Sequence, residues 1–329
     1  MKTTDATVLE EPKTRVRATE ETIEPAIESR PRPRTGVKEA KIYVDGKFYS
    51  EANAKVSVFD HGLLYGDGIF EGIRFYNGRV FRLEQHLERL WNSARSICLA
   101  MPMSRQEMTN ALLETIRQNH LRDGYVRLVV TRGVGNLGLN PEQCKRPSVI
   151  IIVATIALYH EDFYRKGLSI VTVATRRTNP AALNPAVKSL NYLNNVMARI
   201  EANLASADEA LMLNDEGNVA ECTADNVFVI KHAQIFTPPI TAGALQGITR
   251  SIVFEIGSEL DLKVTETNLT RHDIFVADEC FLTGTAAEIV PVVKADGRVI
   301  GNGKPGPITT RVIARFREMT QKTGTPIFD

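Results

Sequence analysis

The chain has 329 residues, of which 43% are hydrophobic and 24% charged, with 40 Lys and Arg against 39 Asp and Glu for a formal net charge of +1. These proportions fit an ordinary soluble globular protein of two domains or one large one. The balanced charge gives no electrostatic case for nucleic acid or an anionic membrane, and no apolar run approaches the ~20 residues of a membrane span. Cys98, Cys144, Cys222 and Cys280 lack C-x-x-C spacing, which argues against a metal site or a disulfide framework and suits a reducing cytoplasmic setting.

Residues 1–39, which include "RPRPR", are rich in Pro, Arg, Glu and Thr and poor in large apolar residues. They predict a solvated, disordered N-terminal tail with no secretory signal. "AKIYVDGKFYS" reads as a hairpin turning at Asp45-Gly46, and "GIFEGIRFYNGRVFRL" as two strands joined at Asn77-Gly78. Leu83, Leu87, Leu90, Trp91, Ala94 and Cys98 then fall on one helical face, which predicts Trp91 in the core. Ser104 with Glu107 forms a capping box that opens another helix. "YVRLVVTR" and "SVIIIVAT" read as core strands, closing a small α+β domain over 40–156.

"ALYHEDFYRKG", residues 157–167, reads as a polar linker. The strand "LSIVTVATR" opens a larger domain over 168–329, followed by "VKSLNYLNNVMARIEANLAS", a turn leading into an amphipathic helix. Further short strands surround Asp215-Glu216-Gly217-Asn218, and "GALQGITRSIVFEIGSEL" is a Gly-rich loop entering a helix. Strands "KVTETNL", "ECFLTGT" and "EIVPVVKADGRVI" and a terminal helix complete the chain. Short strands punctuated by turns predict a barrel-like mixed sheet rather than a doubly wound parallel one. The fold class is therefore α+β.

Four features of the second half suggest chemistry. Lys188 lies in a turn and could form a Schiff base if its amine were neutral. Glu221, flanked by Val219, Ala220, Val227 and Phe228, is costly to bury without a cation, and a protonated pyridine nitrogen would be one. Gly247-Ile248-Thr249 opens a helix whose free N–H groups suit a phosphate. "LTGTAAEI" supplies the Thr285 hydroxyl beside small residues. An aldehyde, a phosphate and a pyridinium together describe pyridoxal 5'-phosphate (PLP). Each feature also has a plainer reading: a solvated lysine, a solvated glutamate, an ordinary cap and a tight turn.

From about Lys41 onward the chain resembles the fold-type IV (class IV) PLP-dependent aminotransferases, most closely the branched-chain amino acid aminotransferases. The resemblance rests on "FDHGLLYGDGIFEGIRFYNGRVFRLEQHLERL", "YVRLVV", "GNLGLNP", "KSLNYLNN", "EGNVAECTADNVF", "ALQGITR" and "FLTGTAAEI", in that order. It implies PLP in a cleft between a small two-layer domain and a larger pseudo-barrel domain. Lys188 would carry the cofactor and move the proton at the substrate's Cα. Glu221 would face the pyridine nitrogen and Tyr192 the phenolic oxygen. Arg89, Leu245, Ile248, Thr249 and Thr285 would complete the cofactor site, although periodicity alone places Arg89 in solvent.

The resemblance also implies substrate contacts from Tyr65, Phe70, Tyr125, Arg127, Leu139, Thr285 and Ala286. Leu139 lies in "GNLGL", a loop that in the family reaches over the neighbouring subunit's site, so a homo-oligomer of at least two chains is expected. Tyr125 and Arg127 share a strand face, since strand side chains alternate. His61 and Tyr43 read as structural. The implied reaction is ping-pong transfer from leucine, isoleucine or valine to 2-oxoglutarate. "KSLN" also resembles the D-amino acid aminotransferases, and a PLP lyase of the aminodeoxychorismate type shares the Lys and Glu. A PLP-binding protein without turnover, acting through its tail, is the non-enzymatic alternative.

Overall fold

The computed structural model describes residues 35–156 and 161–328. The expected tail up to residue 34, with its "RPRPR" run, and the first part of the expected linker, with Tyr159, lie outside the described residues.

Turn chemistry sets the first half. Asp45 and Gly46, at φ 47° and 89°, connect β1 (Lys41–Val44) to β2 (Lys47–Ser50), as the left-handed hairpin turn requires. A short helix, α1 (His61–Tyr65), is capped by Asp60. β3 (Gly68–Tyr76) and β4 (Arg79–Val80) join through Asn77 and Gly78, at φ 48° and 71°. α2 (Leu83–Ser96) follows, and then α3 (Arg105–Gln118), opened by the reciprocal Ser104–Glu107 capping box. β5 (Gly124–Thr131) and β6 (Ser148–Ala154) are the two expected core strands.

The second half runs α4 (Glu161–Lys166), β7 (Leu168–Thr172), α5 (Leu193–Leu204), β8 (Glu209–Leu213), β9 (Val219–Cys222), β10 (Asn226–Lys231) and β11 (Gln234–Thr237). Then come α6 (Ile248–Glu259), β12 (Val264–Glu266), α7 (Arg271–Phe275), β13 (Glu279–Gly284), β14 (Glu288–Ala295), β15 (Arg298–Val299), α8 (Pro307–Lys322) and β16 (Thr325–Pro326).

Two sheets result. The first has the order β16-β4-β3-β5-β6-β1-β2 and is antiparallel throughout. Ile69, Ile73 and Phe75 of β3, Val126, Leu128 and Val130 of β5 and Val149, Ile151 and Val153 of β6 form one apolar face against α2 and α3. The alternate residues of β3 and β5, among them Phe70, Tyr125 and Arg127, point the opposite way.

The second sheet has the order β12-β11-β10-β13-β14-β7-β8-β9 and is mixed, with β7 parallel to both β14 and β8. β9, at one edge, is joined to β10 by only three residues, 223–225, and Cys222 N–H donates to the Asp225 carbonyl at 2.8 Å. So short a link requires the sheet to curl until its edge returns beside β10, which gives the expected barrel-like form. Leu168, Ile170, Leu211, Val227, Leu282 and Val290 fill its interior. Phe228 and Phe281 face outward, are directly paired across β10 and β13, and pack under α6 and α8.

Several expectations change. Thr35 and Val37 are buried, and Thr155 N–H donates to the Thr35 carbonyl at 2.9 Å, so residues 35–39 belong to the folded part rather than to the tail. Averaged composition hides two packing side chains. The polar linker contains α4, whose Tyr164 hydroxyl donates to the Ala287 carbonyl at 3.0 Å; six residues are too few to reveal a helical period. Cys98 lies beyond α2 and is exposed. Trp91 is half-buried at the core margin with Arg105 over its ring, so the stripe is narrower than periodicity suggests.

The Phe228–Phe281 pair has ring centroids 4.9 Å apart and an interplanar angle of 5°, and both residues are fully buried. Phe281→Ala should cost about 3–5 kcal/mol in chemical denaturation. A loss under ~1 kcal/mol would contradict this packing.

Candidate active site

Lys188 is placed by backbone pairing rather than by a helix or strand of its own. Phe70 N–H donates to the Lys188 carbonyl at 3.0 Å and Leu190 N–H to the Gly68 carbonyl at 2.9 Å, while Lys188 N–H donates to Ser93 Oγ on α2 at 3.1 Å. The turn of the second half is thus pinned to β3 of the first sheet. Gly68 makes the approach possible, because a Cβ there would lie 2.7 Å from both Leu190 Cδ1 and the Val130 carbonyl oxygen.

The Lys188 amine faces a cavity of about 490 Å³. Its Nζ lies 3.1 Å from the Tyr192 hydroxyl and 4.6 Å from the centroid of the Phe70 ring. Phe70 in turn packs edge-on against Tyr192, with centroids 4.9 Å apart. Among the described residues no carboxylate is paired with this amine.

On one side of the cavity stands Glu221, 5% exposed. Within the chain, Arg177 is the cation that Glu221 meets. Arg177 Nε and Nη2 reach Glu221 Oε1 at 2.9 and 2.8 Å, while Asn226 Nδ2 and Leu245 N–H donate to Oε2 at 3.2 and 2.9 Å. Arg177 is also held by Asn195 Oδ1 at 3.2 Å. Neither Arg177 nor Asn195 carried a signal in the sequence, because their spacing from Glu221 is set by the sheet curl.

At the other end lie the N–H groups of Ile248 and Thr249, at the start of α6, whose N-cap Gly247 offers no side chain. Arg89 lines the cavity here despite its off-stripe position in α2. It is partly buried, with Nε and Nη2 donating to both oxygens of Glu71 at 2.7 and 2.8 Å and Nη1 to the Gln246 carbonyl at 2.8 Å. Burial would push the Glu71 carboxyl up, but Arg89 and then His86 outweigh it and hold it well below the usual carboxylate range. Burial lowers His86 against the opposing pull of Glu71, leaving a neutral imidazole whose Nδ1 sits 2.8 Å from Glu71. Glu71 and His86 were missed by sequence reading.

The roof is β5. Tyr125 and Arg127 both line the cavity, with the Arg127 guanidinium 4.5 Å from the Phe70 centroid and 5.6 Å from that of Tyr125. Burial pushes the Tyr125 phenol up, partly opposed by Arg127, so it remains a hydrogen-bond donor. A Cβ at Gly72 would lie 2.2 Å from the Tyr125 hydroxyl oxygen, so glycine is what lets Tyr125 cross the sheet. Thr285 and Ala286 also line the cavity, beside Thr283, whose buried hydroxyl lacks a partner among the described residues.

The structure therefore brings together Lys188, Arg89, Tyr192, Glu221, Leu245, Ile248, Thr249, Thr285, Phe70, Tyr125, Arg127 and Ala286. It does not bring in Tyr65 or Leu139. Tyr65 Oη accepts from Gly138 N–H at 3.0 Å and packs on His61, and Leu139 is 81% exposed. His61 and Tyr43 are structural, as expected: His61 Nε2 contacts the Asn136 carbonyl at 2.9 Å, and Tyr43 is buried in the first core. Among the described residues no cluster of His, Cys, Asp or Glu could hold a metal ion, and no helix is long and apolar enough to cross a membrane.

PLP fits this cavity on the chain's own terms. An amine with no carboxylate partner, two uncommitted Arg89 N–H groups beside a helix start, and a Thr283 hydroxyl without a partner among the described residues are polar groups that a phosphate-bearing aldehyde would meet. Fold and site together define an enzyme in which a lysine amine works with a bound carbonyl group. The chain belongs to the class IV amino-transferase family, whose pattern matches residues 68–295. It is 51% identical, over 88% of its length and 99% of the relative's, to a Methanocaldococcus jannaschii protein provisionally described as a branched-chain-amino-acid aminotransferase. It is 36% identical to the branched-chain-amino-acid aminotransferase of Pseudomonas aeruginosa, over 84% of this chain and 91% of that one. The solved T.th. branched-chain amino acid aminotransferase, complexed with N-(5'-phosphopyridoxyl)-L-glutamate, superposes with a TM-score of 0.82 at 35% identity, covering 87% of this chain and 95% of that one.

Proposed function

We propose that the protein transfers the amino group of branched-chain L-amino acids to 2-oxoglutarate with PLP held at Lys188. The observation that carries this reading is an amine with no carboxylate partner among the described residues, hydrogen-bonded to a phenol at 3.1 Å, in a cavity with N–H donors at one end and a paired carboxylate at the other. The bound cofactor supplies an aldehyde and a ring that accepts the electron pair from the substrate's Cα.

The chain's residues then divide the work. Lys188 would move the proton between the substrate's Cα and the cofactor carbon C4′, within reach of the Tyr192 hydroxyl, which would meet the cofactor's phenolic oxygen. Glu221, paired with and oriented by Arg177, would face the pyridine nitrogen, with Leu245 N–H fixing its second oxygen. Arg89, the N–H groups of Ile248 and Thr249 and the Thr285 hydroxyl hold the phosphate. Phe70 offers an apolar surface to the aliphatic side chain, and Tyr125, Arg127 and the Thr285–Ala286 backbone meet carboxylate. Unpaired cysteines support a cytosolic setting.

Tyr65 and Leu139 belong to this reading through a second copy of the chain. Val58, Phe59, Leu63, Val134, Leu137 and Leu139 leave an apolar cluster exposed on the segments around α1 and after β5. The Tyr65–Gly138 hydrogen bond ties those two segments together. In a dimer this cluster would cover the neighbouring cavity and complete its apolar wall. Leu137→Asp with Leu139→Asp should shift sedimentation towards the monomer and lower kcat/KM at least tenfold. A monomeric parent protein with full activity would contradict the shared site.

Arg127→Ala tests substrate recognition. Only a diacid brings a second carboxylate to this guanidinium, and a charge-assisted hydrogen bond is worth roughly 1.5–3 kcal/mol. The expected loss is about 10- to 100-fold in kcat/KM for 2-oxoglutarate and glutamate, and less for leucine. L- and D-leucine should be run side by side with each protein. Equal losses for leucine and glutamate would remove Arg127 from diacid recognition, and turnover of the D-enantiomer alone would replace the proposed substrate class.

A further inference from the structure

β3 carries one residue that its position should forbid. Ile69, Ile73 and Phe75 alternate on the face that packs against α2 and α3, and Glu71 stands among them with no exposure. An isolated carboxylate there would cost several kcal/mol. Its partners are His86 and Arg89, three residues apart on α2 and therefore on one side of that helix. A well-packed apolar trio would close the same layer at no electrostatic cost, so packing alone does not explain the group.

The donor count on Arg89 does. A guanidinium has five N–H groups. Two go to Glu71 in parallel, one goes to the Gln246 carbonyl in the loop before α6, and one remains on each terminal nitrogen. Glu71 fixes the plane from the first sheet, and Gln246 fixes it from the second half of the chain. The neutral His86 donates from Nδ1 to Glu71 Oε2, the oxygen that also takes Arg89 Nη2. The two uncommitted N–H groups lie on a residue that lines the cavity together with Gly247, Ile248 and Thr249.

We propose that Glu71 and His86 are positioning residues that hold the Arg89 guanidinium in the plane needed to receive the cofactor's phosphate. This rests on the reading of the cavity as a PLP site. Glu71 weakens the net positive charge near the phosphate, so it acts through orientation rather than attraction. Its removal leaves a buried guanidinium with a free choice of acceptors.

The test compares PLP with pyridoxal, which lacks the phosphate, in absorbance titrations of the cofactor-stripped full-length chain. For Glu71→Gln, PLP affinity should fall roughly 10- to 100-fold, the scale of a lost charge-assisted contact or outer partner. Pyridoxal affinity should stay within about twofold of the parent, which also reports an intact site at Lys188. His86→Leu should lose PLP affinity in the same selective way, and His86→Asn, whose amide N–H can replace Nδ1–H, should recover most of it. If Glu71→Gln does not fold, the two His86 variants decide alone. Equal losses for both ligands, no loss, or tighter PLP binding would overturn the proposal. A parent protein that binds neither ligand would instead remove the PLP reading on which the proposal rests.

Discussion

Arginines claim Glu221 and Glu71 at the cavity, and among the described residues no carboxylate is paired with Lys188. Glu221 in the wall is taken by Arg177, and Glu71 behind the wall by Arg89. A carboxylate at contact distance from Lys188 would hold its amine in an ion pair and compete with a bound carbonyl group for it. Arginine is suited to this task because its planar fork offers two parallel N–H groups, set on both oxygens of Glu71 and on one of Glu221, and its charge does not titrate. Buried ion pairs add little net stability compared with apolar packing. Two of them beside one amine are better understood through what they do for that amine.

The same pairs tie the architecture to the chemistry. Arg89 connects β3 to the loop before α6, and the Lys188 turn hydrogen-bonds to the start of β3. The amine comes from the second half of the chain, and its main chain is held by the first sheet. The curl of the second sheet brings Glu221 on β9 beside Asn226 on β10, so one carboxylate oxygen is held by an amide from a neighbouring strand. Position of the reactive groups therefore depends on the relation between the sheets as much as on any single loop.

Much of the frame was legible because its causes are local. Asp45-Gly46 and Asn77-Gly78 announce their hairpins, and Ser104 with Glu107 announces a helix start. The alternation that puts Tyr125 and Arg127 on one face is equally local. The burial of Glu71 and the arginine partner of Glu221 were not legible. Glu71 reads as a solvent-facing break in an apolar strand until His86 and Arg89 stand opposite it, and Arg177 lies 44 residues from the glutamate it holds. Periodicity assigned Arg89 to solvent because it counts side chains as apolar or polar and ignores partners. Motif order placed Tyr65 and Leu139 at the site, yet neither lines this chain's own cavity.

The central claim is that Lys188 is the amine that holds the cofactor. Borohydride reduction of the PLP-loaded protein, followed by proteolysis and mass spectrometry of the peptides, tests it directly. The expected result is a phosphopyridoxyl mass on the peptide containing Lys188 and on no other. Attachment at a different lysine, or unchanged attachment after Lys188→Ala, would contradict the account.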